Sequence, residues 1–297
     1  MNPLFKPFLF FFVFSALFIS CDKEKEGIPS YIHLGKFTIN TNPGTQGLNT
    51  HDIPSAKVFV NGMEIGNFEL PATFPVLAEG NCKVEVYPNI RENGSSNSQK
   101  YFKPYEAYTI QANLAKRRVD TIRPVSTYRS NTNFKFLEDF EYPGIAFERG
   151  GANNSADSLV RIPTSTPGVD QPFSGSSHCG FVKVTSDSFI TFQRNSTGSF
   201  TLPNLGTDNY VELDLKSNVS VQVGLLVFDN GSWVTVPVMV AFPTNDQWKK
   251  IYVNLKTETS DLQASTPLRL FFGFYKDDGD TQDKHVYIDN VKVLYVE

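Results

Sequence analysis

The strongest constraint on this chain is a two-residue rhythm. Cys82-Lys83-Val84-Glu85-Val86-Tyr87 alternates apolar with polar, and so does much of Lys284–Val296. Such alternation puts every second side chain on one face of a strand. No long stretch carries the 3.6-residue period of an amphipathic helix. Turn signals cut the rhythm at short intervals, with Asn61-Gly62, Asp229-Asn230-Gly231 and Lys276-Asp277-Asp278-Gly279-Asp280 all falling between apolar runs. Many short strands and regular turns predict an all-β chain of two β-sandwich domains, the second a jelly roll.

The expected organisation has four parts. Residues 1–20 form a signal peptide, 21–30 a charged tether, 31–133 a first β-sandwich and 134–297 the jelly roll. In the first sandwich, strands are predicted at 31–39, 56–60, 63–66, 82–87, 101–111 and 119–128. Pro88 is expected to stop the fourth of these, and Pro71 and Pro75 to bracket a connection. In the second, Phe140 opens the series, followed by 180–185, 189–193, 210–215, 221–228, 233–242, 249–255, 268–275 and 286–295.

The N-terminus reads as an address. Lys6 precedes an apolar run from Phe8 to Phe18, too short to span a bilayer and right for the core of a signal peptide. It ends in Phe18-Ile19-Ser20-Cys21, which resembles a bacterial lipobox. The resemblance implies cleavage before Cys21, a diacylglycerol on its sulfur and an acylated amino group, so that Cys21 anchors the chain to a membrane. The following Asp22-Lys23-Glu24-Lys25-Glu26 resembles the export signal of Bacteroidota lipoproteins. It implies the outer membrane, facing outward; as a bare tether it would hold the domain off the headgroups.

Two further resemblances lie in the body. The stretch AKVFVNGMEIGNFELPATFPVLAEGNCKVEVYP (56–88) is similar to a PEGA-type module, usually a non-catalytic spacer or binder on a surface protein. FLEDFEYPG (136–144), WKKIYVNLK (248–256) and KHVYIDNVKVLYV (284–296) resemble carbohydrate-binding modules of the galactose-binding-like superfamily. That resemblance implies a jelly roll and a structural calcium held by Glu141 and Asp289, whose carboxylates would staple the first strand to the last. The other reading of each is a surface acid satisfied by water.

Other chemistry finds little footing. The formal charge of −4 lacks the basic excess of a nucleic-acid binder. Three cysteines exclude a disulfide-dense scaffold and a four-thiolate zinc site. Glu212 and Asp214 share one face of a strand, as a glycosidase pair would, but the third acid of that pattern is Ser217. His178 and Cys179 point to opposite faces, so Cys179 reads as a small buried residue. The acidic run 277–283 lacks the spacing of a calcium loop and reads as a solvated hairpin tip.

An exposed aromatic ring is the usual platform for a pyranose. Trp233, beside the Asn230-Gly231 turn, is the leading candidate, with Tyr275 and His285 flanking the acidic hairpin. The valines at 234, 236, 238 and 240 make one continuous face that must pack, so Trp233 can equally belong to the core. Trp248 is expected in the core. The function expected is therefore non-catalytic: a surface lipoprotein binding or presenting an extracellular glycan. The alternative is a structural or adhesive protein working through cell-surface protein contacts, with no sugar.

Overall fold

The computed structural model describes residues 27–94, 98–150, 158–169, 175–185 and 188–297. The predicted signal peptide, Cys21 and the charged run after it lie outside the described residues. The regular secondary structure among the described residues is almost entirely strand, with two short helices, α1 (Pro43–Gln46) and α2 (Lys256–Ser260).

The first unit comprises β1 (Ser30–Leu34), β2 (Thr38–Asn40), β3 (Ser55–Val60), β4 (Met63–Glu69), β5 (Ala72–Val76), β6 (Gly80–Arg91), β7 (Gln99–Tyr101), β8 (Tyr108–Leu114), β9 (Val119–Ile122) and β10 (Val125–Thr127). The β3–β4 hairpin turns at Asn61 and Gly62. Both have positive φ, 50° and 80°, as that tight turn requires. Strands β4-β3-β6 with β7 and β8 form one sheet, and β5-β1-β9 a second. Val58, Val84, Val86, Ile32, Phe74 and Phe102 are among the side chains of its core.

The prolines act differently from expectation. Pro88 does not stop β6, which runs on to Arg91. On one side β8 has already left at Val86, and β7 joins only at Asn89, so the missing N–H falls where no neighbour needs it. Pro75 lies inside β5, an edge strand, where a lost donor is tolerated.

The second unit comprises β11 (Thr132–Glu138), β12 (Phe147–Arg149), β13 (Val160–Pro163), β14 (His178–Val184), β15 (Ile190–Ser196), β16 (Asn209–Ser217), β17 (Val221–Asp229), β18 (Ser232–Ala241), β19 (Lys249–Asn254), β20 (Leu268–Lys276) and β21 (Lys284–Val296). One sheet runs β13-β14-β21-β16-β19, with β11 also on β21; the other runs β12-β15-β20-β17-β18. Eight of these strands thus interleave as 14-21-16-19 facing 15-20-17-18, the strand order of a jelly roll. Val211, Leu213, Val223, Leu225, Phe272 and Val293 fill the space between the sheets. Phe140 lies beyond the end of β11. It takes a positive φ of 56° and is fully buried. Gly180 has no Cβ because one would meet the Phe140 ring at 2.6 Å.

A bulge breaks the valine face of β18. Val223 pairs with Met239 but Gly224 pairs with Pro237, so Val238 is an extra residue. A one-residue slip exchanges the faces. Met239 is therefore buried and Val240 is 45% exposed.

Candidate functional site

The two units meet on the outer face of the six-stranded sheet. In β16, Val211, Leu213 and Leu215 point into the sandwich, so Tyr210, Glu212, Asp214 and Lys216 point out of it. The same parity in β19 turns Trp248, Lys250 and Tyr252 outward. Part of this face is covered by the first unit. Tyr210, Tyr252 and Leu294 join the first unit's core. Asn93 donates its backbone N–H to the Tyr252 carbonyl at 2.8 Å, carrying the end of β6 onto the open edge of β19.

A charged cluster is sealed beneath this contact. Glu212 and Asp214 are 0% exposed. Lys250 Nζ lies 3.3 Å from Glu212 Oε2 and 3.6 Å from Asp214 Oδ1, and Lys292 Nζ lies 3.9 Å from Glu212 Oε2. Lys250 also donates to Thr50 Oγ1 at 3.2 Å. Burial first, and then the Lys250 charge, pull the Lys292 ammonium down to about 7. Asn290 closes the edge: its Oδ1 accepts from the Leu48 N–H at 3.0 Å and its Nδ2 donates to Thr50 Oγ1 at 2.6 Å. Gly47 (φ 69°) permits the approach, since a Cβ there would lie 2.3 Å from Asn290 Oδ1.

Beside this contact is a cleft of about 840 Å³. The first unit supplies His51, Asp52, Arg91 and Asn93. The jelly roll supplies the end of β18 and the start of β19, including Met239, Phe242, Trp248 and Lys249. Phe242 is 80% exposed and Trp248 half-buried. Arg91 Nη1 donates to Asp52 Oδ2 at 2.7 Å. His51 Nδ1 is buried with no hydrogen-bond partner among the described residues. Burial holds its imidazole below the ordinary value, so His51 is neutral at pH 7. From Trp248 an aromatic series continues across the sheet. Tyr287 lies 6.3 Å from Trp248 and stacks on Phe181 at 4.7 Å. Lys216 Nζ sits 5.5 Å from the centre of the Tyr287 ring.

The residues singled out from sequence are scattered. His285 borders the aromatic series, 5.7 Å from Tyr287, and its Nε2 is 2.7 Å from Asp246 Oδ1. Trp233 is on the other sheet, against Phe228 at 5.2 Å with the Arg269 guanidinium 4.9 Å from its ring centre. Tyr275, 49% exposed, stacks on Phe189 at the far end of β20. These three do not converge. Trp248, expected in the core, lines the cleft instead. The signal was available: Ile251, Val253 and Leu255 must point inward, which sends 248 and 250 outward. His51, Asp52 and Arg91 carry no local signal, because the cleft joins chain-distant segments.

Glu141 and Asp289 do come close, on either side of Ser176. Their surroundings do not make a calcium cage. Glu141 accepts from Ser176 Oγ at 3.0 Å, from the backbone N–H groups of Ser177 and His178 at 2.8 and 3.1 Å, and from Ser177 Oγ. The Glu141 carbonyl accepts from Arg161 Nη2 at 2.8 Å and the Phe140 carbonyl from Arg161 Nε, so a guanidinium occupies oxygens that a cation would need. Burial, then the Asp214 charge, push the Asp289 carboxyl well above the usual range, which favours its neutral form. Among the described residues no group of three or more His, Cys, Asp or Glu is placed to hold a metal. Burial likewise pushes the Cys179 thiol up to about 12, as suits an inert core residue.

No family model and no curated protein matches the chain. Solved carbohydrate-binding modules are similar to it. One, from a study of promiscuous specificity in modules of the β-sandwich superfamily, is 17% identical with a TM-score of 0.38, covering 80% of this chain and 84% of that one. The CBM22-2 xylan-binding domain from Paenibacillus barcinonensis Xyn10C is 13% identical with a TM-score of 0.36, covering 54% and 99%. TmCBM61, solved with β-1,4-galactotriose, is 16% identical with a TM-score of 0.30, covering 47% and 82%. Similarity at this level carries no ligand and no residue role over to this chain.

Proposed function

We propose that this chain is a lipid-anchored surface protein of the outer membrane that holds an extracellular glycan in the cleft between its two units and does no chemistry on it. The observation that carries the reading is the make-up of the cleft. Trp248 and Phe242 offer ring faces that suit the apolar face of a pyranose, beside an Arg91–Asp52 pair that suits neighbouring hydroxyls. Concave shape, aromatic walls and a few polar groups are what a saccharide needs; a protein-docking face would be flatter and more uniformly apolar. The non-catalytic reading is supported by the acids. Glu212 and Asp214 are sealed from solvent, and among the described residues the one acid lining the cleft, Asp52, is paired with Arg91. The lipobox-like Ser20-Cys21 and the charged run after it support the address.

The test is a glycan-array screen of the full chain in detergent, beside Trp248→Ala. Discrete hits lost in the variant support the reading. A blank from folded protein overturns it and leaves the adhesive alternative.

A further inference from the structure

The cleft is charged against the grain of the chain. The sequence as a whole is acidic, at −4, yet among the described residues the cleft is lined by Arg91, Lys249 and Lys250 against the single acid Asp52. These charges are not equally free. Lys250 is held by Glu212 and Asp214 behind the wall. Asp52 is engaged by Arg91 through one nitrogen only, and the Arg91 side chain remains 39% exposed. Its other guanidinium N–H groups make no hydrogen bond among the described residues. Lys249 is exposed, and among the described residues no acid stands within ion-pair distance of it. The neutral His51 neither opposes nor adds to this charge.

An exposed cation alone attracts weakly, because water screens it. Here the charges stand over the apolar groups of Met239, Phe242 and Trp248, and low-dielectric walls concentrate a field. We propose that the glycan held in this cleft is anionic, its carboxylate or sulfate set against Lys249 and the free edge of Arg91. The proposal rests on the glycan reading and names the chemical class of its ligand. Arg91 suits such a group because a planar guanidinium meets two oxygens at once.

Matched pairs of saccharides test it. The full chain in detergent is titrated with oligogalacturonate and its fully methyl-esterified form, and with a sulfated carrageenan oligosaccharide and its desulfated form. In at least one pair the charged member should bind roughly tenfold tighter at low salt. The advantage should shrink at high salt, and Lys249→Ala should remove most of it. The pair that shows the effect tells carboxylate from sulfate. Equal binding within both pairs overturns the anionic preference but leaves the glycan reading standing, as does an advantage that survives high salt and Lys249→Ala. No binding of any of the four by folded protein overturns both.

Discussion

Tyr128 of the first unit donates its hydroxyl proton to Glu212 of the jelly roll at 2.8 Å, across 84 positions of chain. Lys292 donates in turn to the Tyr128 oxygen at 3.0 Å. The bond between units is therefore part of a buried network in which Glu212, Lys250 and Lys292 find their partners on other strands. Such a network specifies one docking geometry because every displaced arrangement strands a buried charge.

Removing Glu212 tests this. Glu212→Ala leaves Lys250 and Lys292 facing each other with less negative charge between them. It should cost about 3–5 kcal/mol in a urea melt. A loss below about 1 kcal/mol would mean that water reaches the cluster.

Asp289 gives the pH dependence a sign. Its folded carboxyl titrates well above the unfolded value of about 3.9, so across that interval the folded state holds more protons than the unfolded one. Its contribution to stability is present at low pH and is lost as pH rises from about 4. Asp289→Asn abolishes this term. The variant should gain on the wild type steadily from about pH 4 towards 7, reaching on the order of 1–3 kcal/mol. A difference constant with pH in parallel denaturant melts would refute the assignment.

In the Glu141 corner Arg161 donates to the carbonyls of Phe140 and Glu141. Chelation with EDTA should leave the melting curve unchanged, because removing a ligand matters only if one stabilised the native state. Arg161→Ala should cost about 2 kcal/mol, the scale of charge-assisted hydrogen bonds to buried carbonyls. A melting point lowered by EDTA and restored by calcium would reverse this conclusion.

Trp248→Ala should weaken glycan binding by about 2 kcal/mol or more, roughly thirtyfold, as for a truncated aromatic anchor. Trp233→Ala, on the opposite sheet, should leave affinity alone. Isothermal titration with any array hit decides between the two tryptophans.

At the N-terminus, Cys21→Ala should abolish incorporation of labelled fatty acid and release the chain from membranes. Label retained on the variant would remove the anchor from the proposal.

Most strands were legible because each records its burial locally. Alternation in 209–217 or 284–296 reports which residues face a core, and Asn61-Gly62 reports a turn through the positive φ that both must adopt. The failures have equally local causes. Pro75 and Pro88 looked like breakers because a lone strand cannot say which of its N–H groups has a neighbour. The valines of β18 looked continuous because the bulge at Val238 exists only relative to β17.

The sequence by itself determined the β-class of the chain, its turns and the inward face of nearly every strand, since these follow from short-range periodicity and backbone sterics. It also carries the lipobox-like Ser20-Cys21 on which the proposed anchor rests. What the outward faces do was decided only in three dimensions. Parity placed Glu212, Asp214, Lys250 and Lys292 outside the jelly-roll core, where water is the ordinary expectation, and docking of the first unit buried them. The same docking set Arg91 and Asp52 opposite Trp248, residues more than 150 positions apart. A cleft between two units is a relation between surfaces, and no single strand encodes it.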